Sequence, residues 1–315
     1  MRSPVQRELT TTARAWYLAA RPRSLTATYA PLLLAAAITL DDGVFDLPRF
    51  ALALLGALLL QIAANLVNEY VDFTRGTDTH KVDGMGMVLS RSQLAPRHVL
   101  IGAIVTVVGG ALIGLLLVAY SGPLLLWIGL GGVLVVITYT AGPLPLAYLG
   151  LGEIAVFIFM GPLMVLGTYY AVSGGKVNDA ALAAGLPIAF TVAAILHANN
   201  MRDLEADRRA NKRTLAVRFG ERGARREYAV LLYAPYVVTV VLVVLRLMPW
   251  PTLIVLLTLP QAIGLVQQAM RTTNPQVLHR LQGMTAQFHL RVGLMLTAGW
   301  LLYALFRLWA QILSI

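Results

Sequence analysis

Nine long apolar runs constrain this chain more than any other feature of its sequence. They lie near residues 25–40, 48–68, 99–119, 122–142, 152–173, 179–199, 228–247, 250–270 and 290–313. A membrane-spanning helix needs about 20 mostly apolar residues, and inside a bilayer the backbone polar groups of a lone segment are satisfied only within a helix. The runs therefore predict an all-α membrane protein with nine transmembrane helices, organised as a single domain over residues 1–315.

The composition excludes several other classes of protein. Hydrophobic residues make up 58% of the chain and charged residues only 13%, whereas soluble domains carry about 25% charged residues. Cysteine is absent, which excludes disulfides, thiolate metal sites and cysteine nucleophiles. The net charge of +10 is explained more simply by loops on an anionic membrane face than by nucleic acid. We therefore expect the lipid bilayer, and no nucleic acid, as a partner.

The distribution of basic residues predicts the orientation of the chain. If the N-terminus is cytoplasmic, the outer segments hold only four of the 25 basic residues, namely Arg49, Lys176, Arg246 and Arg307. Cytoplasmic segments carry most Lys and Arg in membrane proteins. The sequence therefore predicts an N-in, C-out topology, with a cytoplasmic N-terminal segment over 1–20 and cytoplasmic cap loops over 69–97 and 200–227.

The first cap loop begins with a polar helix face. The second apolar run continues into ANLVNEYVDFTRGTDTHK, and we expect the helix to end at Gly76. At about 100° per residue, four polar side chains share an arc of about 100° on this helix. They are Asn65, Asn68, Glu69 and Asp72. Asp78 follows the glycine, so it can approach this face only as a loop residue.

The second cap loop repeats this pattern. In HANNMRDLEADRRANKRT, a polar face again follows an apolar run, and it holds Asn199, Asn200, Asp203 and Asp207. An Asn-x-x-x-Asp pair thus recurs at an offset of 131 residues. This repetition predicts two weakly similar halves, each presenting one Asn/Asp face to a central cavity at the cytoplasmic mouth.

The two faces together indicate a metal and diphosphate site. Mg²⁺ is usually held by one or two carboxylates together with substrate phosphates, and Arg and Lys bind phosphate oxygens directly. The predicted catalytic residues are Asn68, Asp72, Asp78, Asp203 and Asp207. The predicted Mg²⁺ ligands, acting with the diphosphate, are Asn68, Asp72, Asp203 and Asp207. The candidate phosphate-binding residues are Arg21, Lys81, Arg202, Lys212 and Arg213. The alternative is that these polar residues are helix caps, but carboxylates beside a membrane are costly without a partner.

Other polar residues near the same mouth allow two interpretations each. Tyr139 and Tyr148 flank an inner loop and could bind a cation or an aromatic ring, or belong to the interfacial tyrosine belt. Glu153 is either a site residue or a carboxylate favoured by a helix N-terminus. His80 and His197 are either bases or ligands, or simply polar residues near loop and helix ends.

The segments NEYVDFTRGTD and NNMRDLEADRRANKRTLAVRFG resemble the paired aspartate motifs of the UbiA superfamily of intramembrane prenyltransferases. Three further stretches, RPRSLTATYAPLLLA, GPLPLAYLGLGEIAVFIFMGPLMVLGTYY and KRTLAVRFG, are similar to the branch that prenylates 1,4-dihydroxy-2-naphthoate in menaquinone biosynthesis. The likeness covers about residues 20–225, and the last three runs match only in hydropathy. The stretch KVDGMGMVLSRSQLAP, with Met85 and Met87, departs from the pattern.

This resemblance implies a nine-helix bundle whose central cavity has its active site at the cytoplasmic mouth. It implies a polyprenyl diphosphate, an aromatic acceptor and Mg²⁺ as ligands. It also implies substrate-binding roles for Asn65, Tyr139, Tyr148, Glu153, Asn199 and Asn200. Two alternatives stay open: a prenyltransferase of another acceptor such as 4-hydroxybenzoate, and an ion-coupled secondary transporter, whose acidic residues more often lie near the middle of a span.

Overall fold

A computed structural model describes residues 4–76, 87–142 and 145–313, and all the regular structure in these ranges is helical. The α-helices are α1 (Pro4–Ala20), α2 (Thr26–Asp41), α3 (Leu47–Thr74), α4 (Pro96–Ser121), α5 (Pro123–Thr138), α6 (Leu146–Leu149), α7 (Gly152–Met160), α8 (Pro162–Val172), α9 (Asp179–Arg202), α10 (Leu204–Arg209), α11 (Leu215–Val244), α12 (Leu259–Arg271) and α13 (Pro275–Leu313). Two 3₁₀ segments, Pro22–Leu25 and Trp250–Thr258, precede α2 and α12. The prediction of an all-α protein is confirmed.

Eight helical stretches in the described part of the chain are long and apolar enough to cross a membrane. They are Thr11–Asp41, Leu47–Thr74, Pro96–Ser121, Gly152–Val172, Asp179–Arg202, Leu215–Val244, Trp250–Arg271 and Pro275–Leu313. The remaining predicted span, over residues 122–142, corresponds to α5, which has 16 residues. At 1.5 Å per residue α5 is about 24 Å long, shorter than a hydrocarbon core of about 30 Å.

Three of the predicted runs have different boundaries in the structure. The run over 152–173 is two helices, because the backbone of Gly161 leaves the helical region and Pro162 starts α8. Glycine at this position also lets the chain lie against α9, where a Cβ would clash with Ala189. The run over 250–270 starts as a 3₁₀ helix. The last helix begins at Pro275, well before the predicted boundary at residue 290.

The first cap segment begins as predicted, whereas the second contains more helix than a loop. In the first, α3 continues to Thr74 and ends in a turn at Gly76, whose φ of +67° is one that glycine adopts readily. In the second, helices continue almost throughout, as the end of α9, then α10, then α11. The physical reason is burial: Leu204, Ala216 and Ala224 belong to the main hydrophobic core, so this segment folds onto the bundle.

The core is centred on α9, which contacts α2, α7, α8, α11 and α13. Small residues along α9, including Ala184 and Ala194, are fully buried and allow close helix packing. A separate cluster joins α1, α3 and α4 through Ala19, Leu66 and Val99. A third cluster, formed by Ala53, Leu117 and Ala171, lines a large cavity, which contains the candidate site.

Candidate active site

The cavity has a volume of about 650 Å³, within the range of small-molecule sites. Its deeper walls come from α3, α4, α5, α7 and α8 and are apolar, with residues such as Gly56, Gly110, Leu117, Gly129 and Phe159. Its other end is polar and charged. The predicted site residues in its wall are Arg21, Asn65, Asn68, Asp72, Tyr139, Asn199, Asn200, Arg202, Asp203, Asp207 and Lys212. A ligand with a charged head and a long apolar tail matches this division.

The two Asn/Asp motifs meet around one lysine. Lys212 Nζ lies 3.5 Å from Asp72 Oδ1, on α3, and 3.8 Å from Asp207 Oδ1, on α10. All three residues are buried. The backbone N–H of Lys212 donates to the carbonyl of Asp207 at 2.9 Å, which fixes the lysine beside the second motif. The prediction that both motifs face one cavity is therefore confirmed in the geometry.

The second motif is not one continuous helix, contrary to the prediction. The helix α9 ends at Arg202, and Asp203 has φ −94° and ψ 9°, outside helical geometry, before α10 begins. Both carboxylate oxygens of Asp203 accept from the Arg202 guanidinium, Oδ1 from Nε at 2.7 Å and Oδ2 from Nη2 at 2.5 Å. The break keeps Asp203 and Asp207 in the cavity wall although the helix axis changes.

The polar network extends to α13, which the sequence did not single out. Arg202 Nη1 donates to Gln282 Oε1 at 2.9 Å and lies 3.1 Å from His279 Nδ1. Gln282 Nε2 in turn donates to Asn199 Oδ1 at 3.1 Å. Because a guanidinium can only donate, this chain fixes the amide of Asn199 with its amino group as the free donor. The stretch LHRLQG carries no motif, so only the structure identifies these two residues.

The neighbouring asparagines present different groups. Asn200 Nδ2 donates to Glu153 Oε1 at 2.7 Å, so its oxygen is the atom it can offer to the cavity. Asn68 Oδ1 accepts from Thr140 Oγ1 at 2.7 Å, which orients the amide of the first motif. The cavity therefore offers amide donors and acceptors in fixed orientations beside its carboxylates.

Arg21 and Asn65 join the N-terminal segment to α3 as well as lining the cavity. Arg21 Nη2 donates to Glu69 Oε2 at 3.0 Å. Asn65 Nδ2 donates to the carbonyl of Ala20 and to Ser24 Oγ, both at 2.8 Å. These contacts use the polar groups that we predicted for substrate, so both residues also have a structural role.

Glu69 belongs to the predicted polar face but not to the cavity wall. Besides Arg21, its carboxylate accepts from the backbone N–H groups of Met87 at 2.8 Å and Leu89 at 3.2 Å. Glu69 therefore anchors the segment that follows the first motif. This contact holds Met87, one of the two residues that depart from the family pattern, at the cavity wall.

Three predicted substrate-binding residues lie elsewhere. Glu153 is buried behind the wall, where Asn200 and His197 contact it. The Tyr148 ring contacts cations of the protein instead, with Lys212 Nζ and Arg75 Cζ each 5.0 Å from its centroid. Arg213 is exposed. Its backbone N–H donates to the carbonyl of Tyr148 at 3.0 Å, which ties this residue to α6.

Four residues named from the sequence lie outside the described residues. They are Asp78, His80, Lys81 and Met85.

Tyr139 is the aromatic residue among the predicted site residues that lines the cavity. A tyrosine phenol loses its proton only well above neutral pH. Its hydroxyl therefore stays protonated at neutral pH, and its ring is a neutral π surface at the wall.

The donor set at this end of the cavity suits a hard cation. Asp72, Asp203 and Asp207 supply carboxylate oxygens from two sides, and such ligands fit Mg²⁺, which completes its octahedron with water and phosphate oxygens. Fold and site together define a helical intramembrane protein in which a charged, carboxylate-rich end opens into an apolar cavity.

The sequence pattern of the UbiA prenyltransferase family matches residues 28–290, and the chain belongs to this family. A 1,4-dihydroxy-2-naphthoate octaprenyltransferase from Bacillus subtilis is 34% identical over 293 residues, covering 93% of each chain. A protein of the same name from Mycobacterium tuberculosis is 39% identical over 237 residues, covering 75% of this chain and 79% of the relative. The family assignment favours the prenyltransferase prediction over the transporter alternative.

A solved UbiA homolog from Archaeoglobus fulgidus shares the fold. It superposes with a TM-score of 0.59 at 17% sequence identity, covering 90% of this chain and 99% of the other. That homolog was solved bound to DMAPP and Mg²⁺.

Proposed function

We propose that this protein transfers a polyprenyl group from a polyprenyl diphosphate to 1,4-dihydroxy-2-naphthoate with loss of CO₂, giving a demethylmenaquinol. The observation that carries the proposal is the convergence of carboxylates from both motifs at the charged end of an otherwise apolar cavity. The names of the relatives supply the acceptor. The Mg²⁺ and prenyl diphosphate of the Archaeoglobus fulgidus homolog support the metal and the donor.

The charged end would hold the diphosphate and its metal. Asp72, Asp203 and Asp207 would bind Mg²⁺, with Asn68 beside them, and Mg²⁺ would neutralise the charge of the departing diphosphate. Lys212 lies between Asp72 and Asp207. Once those carboxylates bind the metal, its ammonium is free to donate to phosphate oxygens.

The charged end and the apolar walls of the cavity suit an ionisation followed by attack of the aromatic ring. The bond between the first prenyl carbon and the diphosphate oxygen breaks, and its electron pair leaves with the diphosphate. The ring carbon that bears the carboxylate attacks the allylic cation and a C–C bond forms. The bond from that carbon to the carboxylate then breaks, its electron pair restores aromaticity, and CO₂ leaves. Apolar walls exclude water from the cation, and the neutral ring of Tyr139 offers a π face beside it.

We expect 1,4-dihydroxy-2-naphthoate to be preferred over 4-hydroxybenzoate by at least about tenfold in kcat/KM, because burying a second ring is worth about 1–3 kcal/mol. Competition between the two acceptors at equal concentration, with both products identified by mass, measures this ratio directly. Predominant prenylated 4-hydroxybenzoate would contradict the acceptor while leaving the metal site as proposed. Met87, at the cavity wall, is then the first position to vary.

We also propose that α5, with the residues that follow it, completes a ninth span, and that the charged end of the cavity is cytoplasmic. The distribution of basic residues supports this orientation. Because the chain has no cysteine, single cysteines report sidedness cleanly. Glu205→Cys should react with an impermeant maleimide only from the cytoplasmic side, and Lys176→Cys only from outside; both positions are exposed. The reverse labelling pattern would contradict the orientation.

A further inference from the structure

Behind the cavity wall lies a cluster of three ionisable side chains that the proposed chemistry does not use. His197 Nδ1 is 3.4 Å from Glu153 Oε1, on α7, and 3.7 Å from Glu227 Oε1, on α11. The imidazole is completely buried, and the side chains of Glu153 and Glu227 are 6% and 19% exposed. Two carboxylates thus face one nitrogen of a histidine with little access to water.

The hydrogen bonds of His197 determine where its protons lie. Its Nε2 is 2.8 Å from the carbonyl oxygen of Ala224, and a carbonyl can only accept, so Nε2 carries a hydrogen. The other nitrogen faces only carboxylate oxygens. A bare lone pair there would be repelled by both carboxylates, and without a further proton the cluster would carry two buried negative charges. One additional proton on Nδ1 lets the imidazole donate to Glu153 Oε1 and places a positive charge beside both carboxylates.

This cluster reaches the cavity through one amide. Glu153 Oε1 accepts from Asn200 Nδ2 at 2.7 Å, so the amide cannot turn its amino group to the cavity without losing this bond. Asn199 has the opposite arrangement, since its oxygen accepts from Gln282. Side by side, the two asparagines therefore offer one donor and one acceptor to the same cavity.

Asn200 also lies at a different depth from the carboxylates. The helix α9 runs towards the charged end, so Asn200 is one turn deeper than Asp203, about 4.5 Å along the axis. Tyr139 lies near this depth. Its hydroxyl and the side chain of Leu196, one turn before Asn200 on α9, both lie near Gly152 at the start of α7. If the diphosphate occupies the charged end, its reacting carbon and the acceptor ring lie at the depth of Asn200.

We propose that Glu153, held by a protonated His197 that also faces Glu227, is a positioning residue that fixes Asn200 with its Oδ1 towards the cavity, where it accepts a hydrogen bond from one hydroxyl group of the aromatic acceptor. This inference rests on the proposed function, because it assumes a hydroxylated aromatic substrate. In this proposal Asn200 distinguishes one hydroxyl of the acceptor from the other, and Glu153, outside the cavity, sets the orientation of the Asn200 amide.

The two monomethyl ethers of 1,4-dihydroxy-2-naphthoate test this inference as competitive inhibitors of the wild-type protein in nanodiscs. Methylation removes the donor from one hydroxyl at a time, so one ether should bind at least about tenfold more weakly than the other. Glu153→Leu frees the amide of Asn200, and the ratio should fall to within about twofold. The KM for polyprenyl diphosphate should not change, which separates positioning from general damage to the site.

A conservative variant and a second site keep the test decisive. In Glu153→Gln the side-chain oxygen can take the place of Oε1 and accept from both Asn200 Nδ2 and His197 Nδ1, so the wild-type ratio between the ethers should be retained. Asn200→Leu removes the accepting oxygen itself and should lose the ratio even if Glu153→Leu does not fold. Loss of the ratio in Glu153→Gln, or its retention in either leucine variant, would overturn the inference. Absence of wild-type turnover would instead contradict the proposed function.

Discussion

Asp72→Asn is expected to lower kcat/KM by about 10²–10³-fold, because a carboxylate that neutralises the metal and the departing diphosphate contributes mainly in the transition state. Asp72 is buried, and Lys212 lies between it and Asp207 of the second motif, so removing its charge affects the electrostatics of both motifs. Asparagine keeps the size of the side chain but removes the charge. Initial rates of product formation at several concentrations of polyprenyl diphosphate would measure the loss.

The same helix provides a matched control. Asp46 caps the N-terminus of α3 by accepting from the backbone N–H of Arg49 at 2.9 Å, at the opposite end of the helix from Asp72. Asparagine is an equally good N-cap, so Asp46→Asn should stay within about twofold of the wild-type rate. An Asp72→Asn protein that is correctly folded in the membrane and as active as Asp46→Asn would remove Asp72 from the proposed site.

The first motif was predictable because α3 is regular. Helical periodicity placed Asn65, Asn68 and Asp72 on one face, and all three line the cavity. The same periodicity included Glu69, whose carboxylate instead binds Arg21 and two backbone N–H groups. Helical periodicity does not tell which edge of a polar face lines a cavity and which contacts another segment of the chain. The residues that bind Glu69 lie outside the motif, so the motif alone could not show its role.

The second motif was predictable in its residues but not in its backbone. The break at Asp203 has neither glycine nor proline beside it, so no local signal marks it. Gln282 and His279 were missed for a related reason: their role depends on α13 crossing the end of α9, a tertiary contact that leaves no periodic pattern. Residues 139–142, counted in the fourth run, form a turn and a bend after α5 ends at Thr138, as expected in a stretch rich in proline.

Dependence on a divalent cation is the second large effect that we expect, and it tests the central claim most directly. The purified protein in nanodiscs is supplied with a polyprenyl diphosphate and 1,4-dihydroxy-2-naphthoate, and the products are identified by mass. In Mg²⁺ we expect the prenylated naphthoquinol that has lost CO₂. In EDTA its formation should fall by at least about 10³-fold and return when Mg²⁺ or Mn²⁺ is added in excess, because the carboxylates alone would repel the diphosphate. Undiminished turnover in EDTA, or no prenylated product in Mg²⁺, would contradict the account.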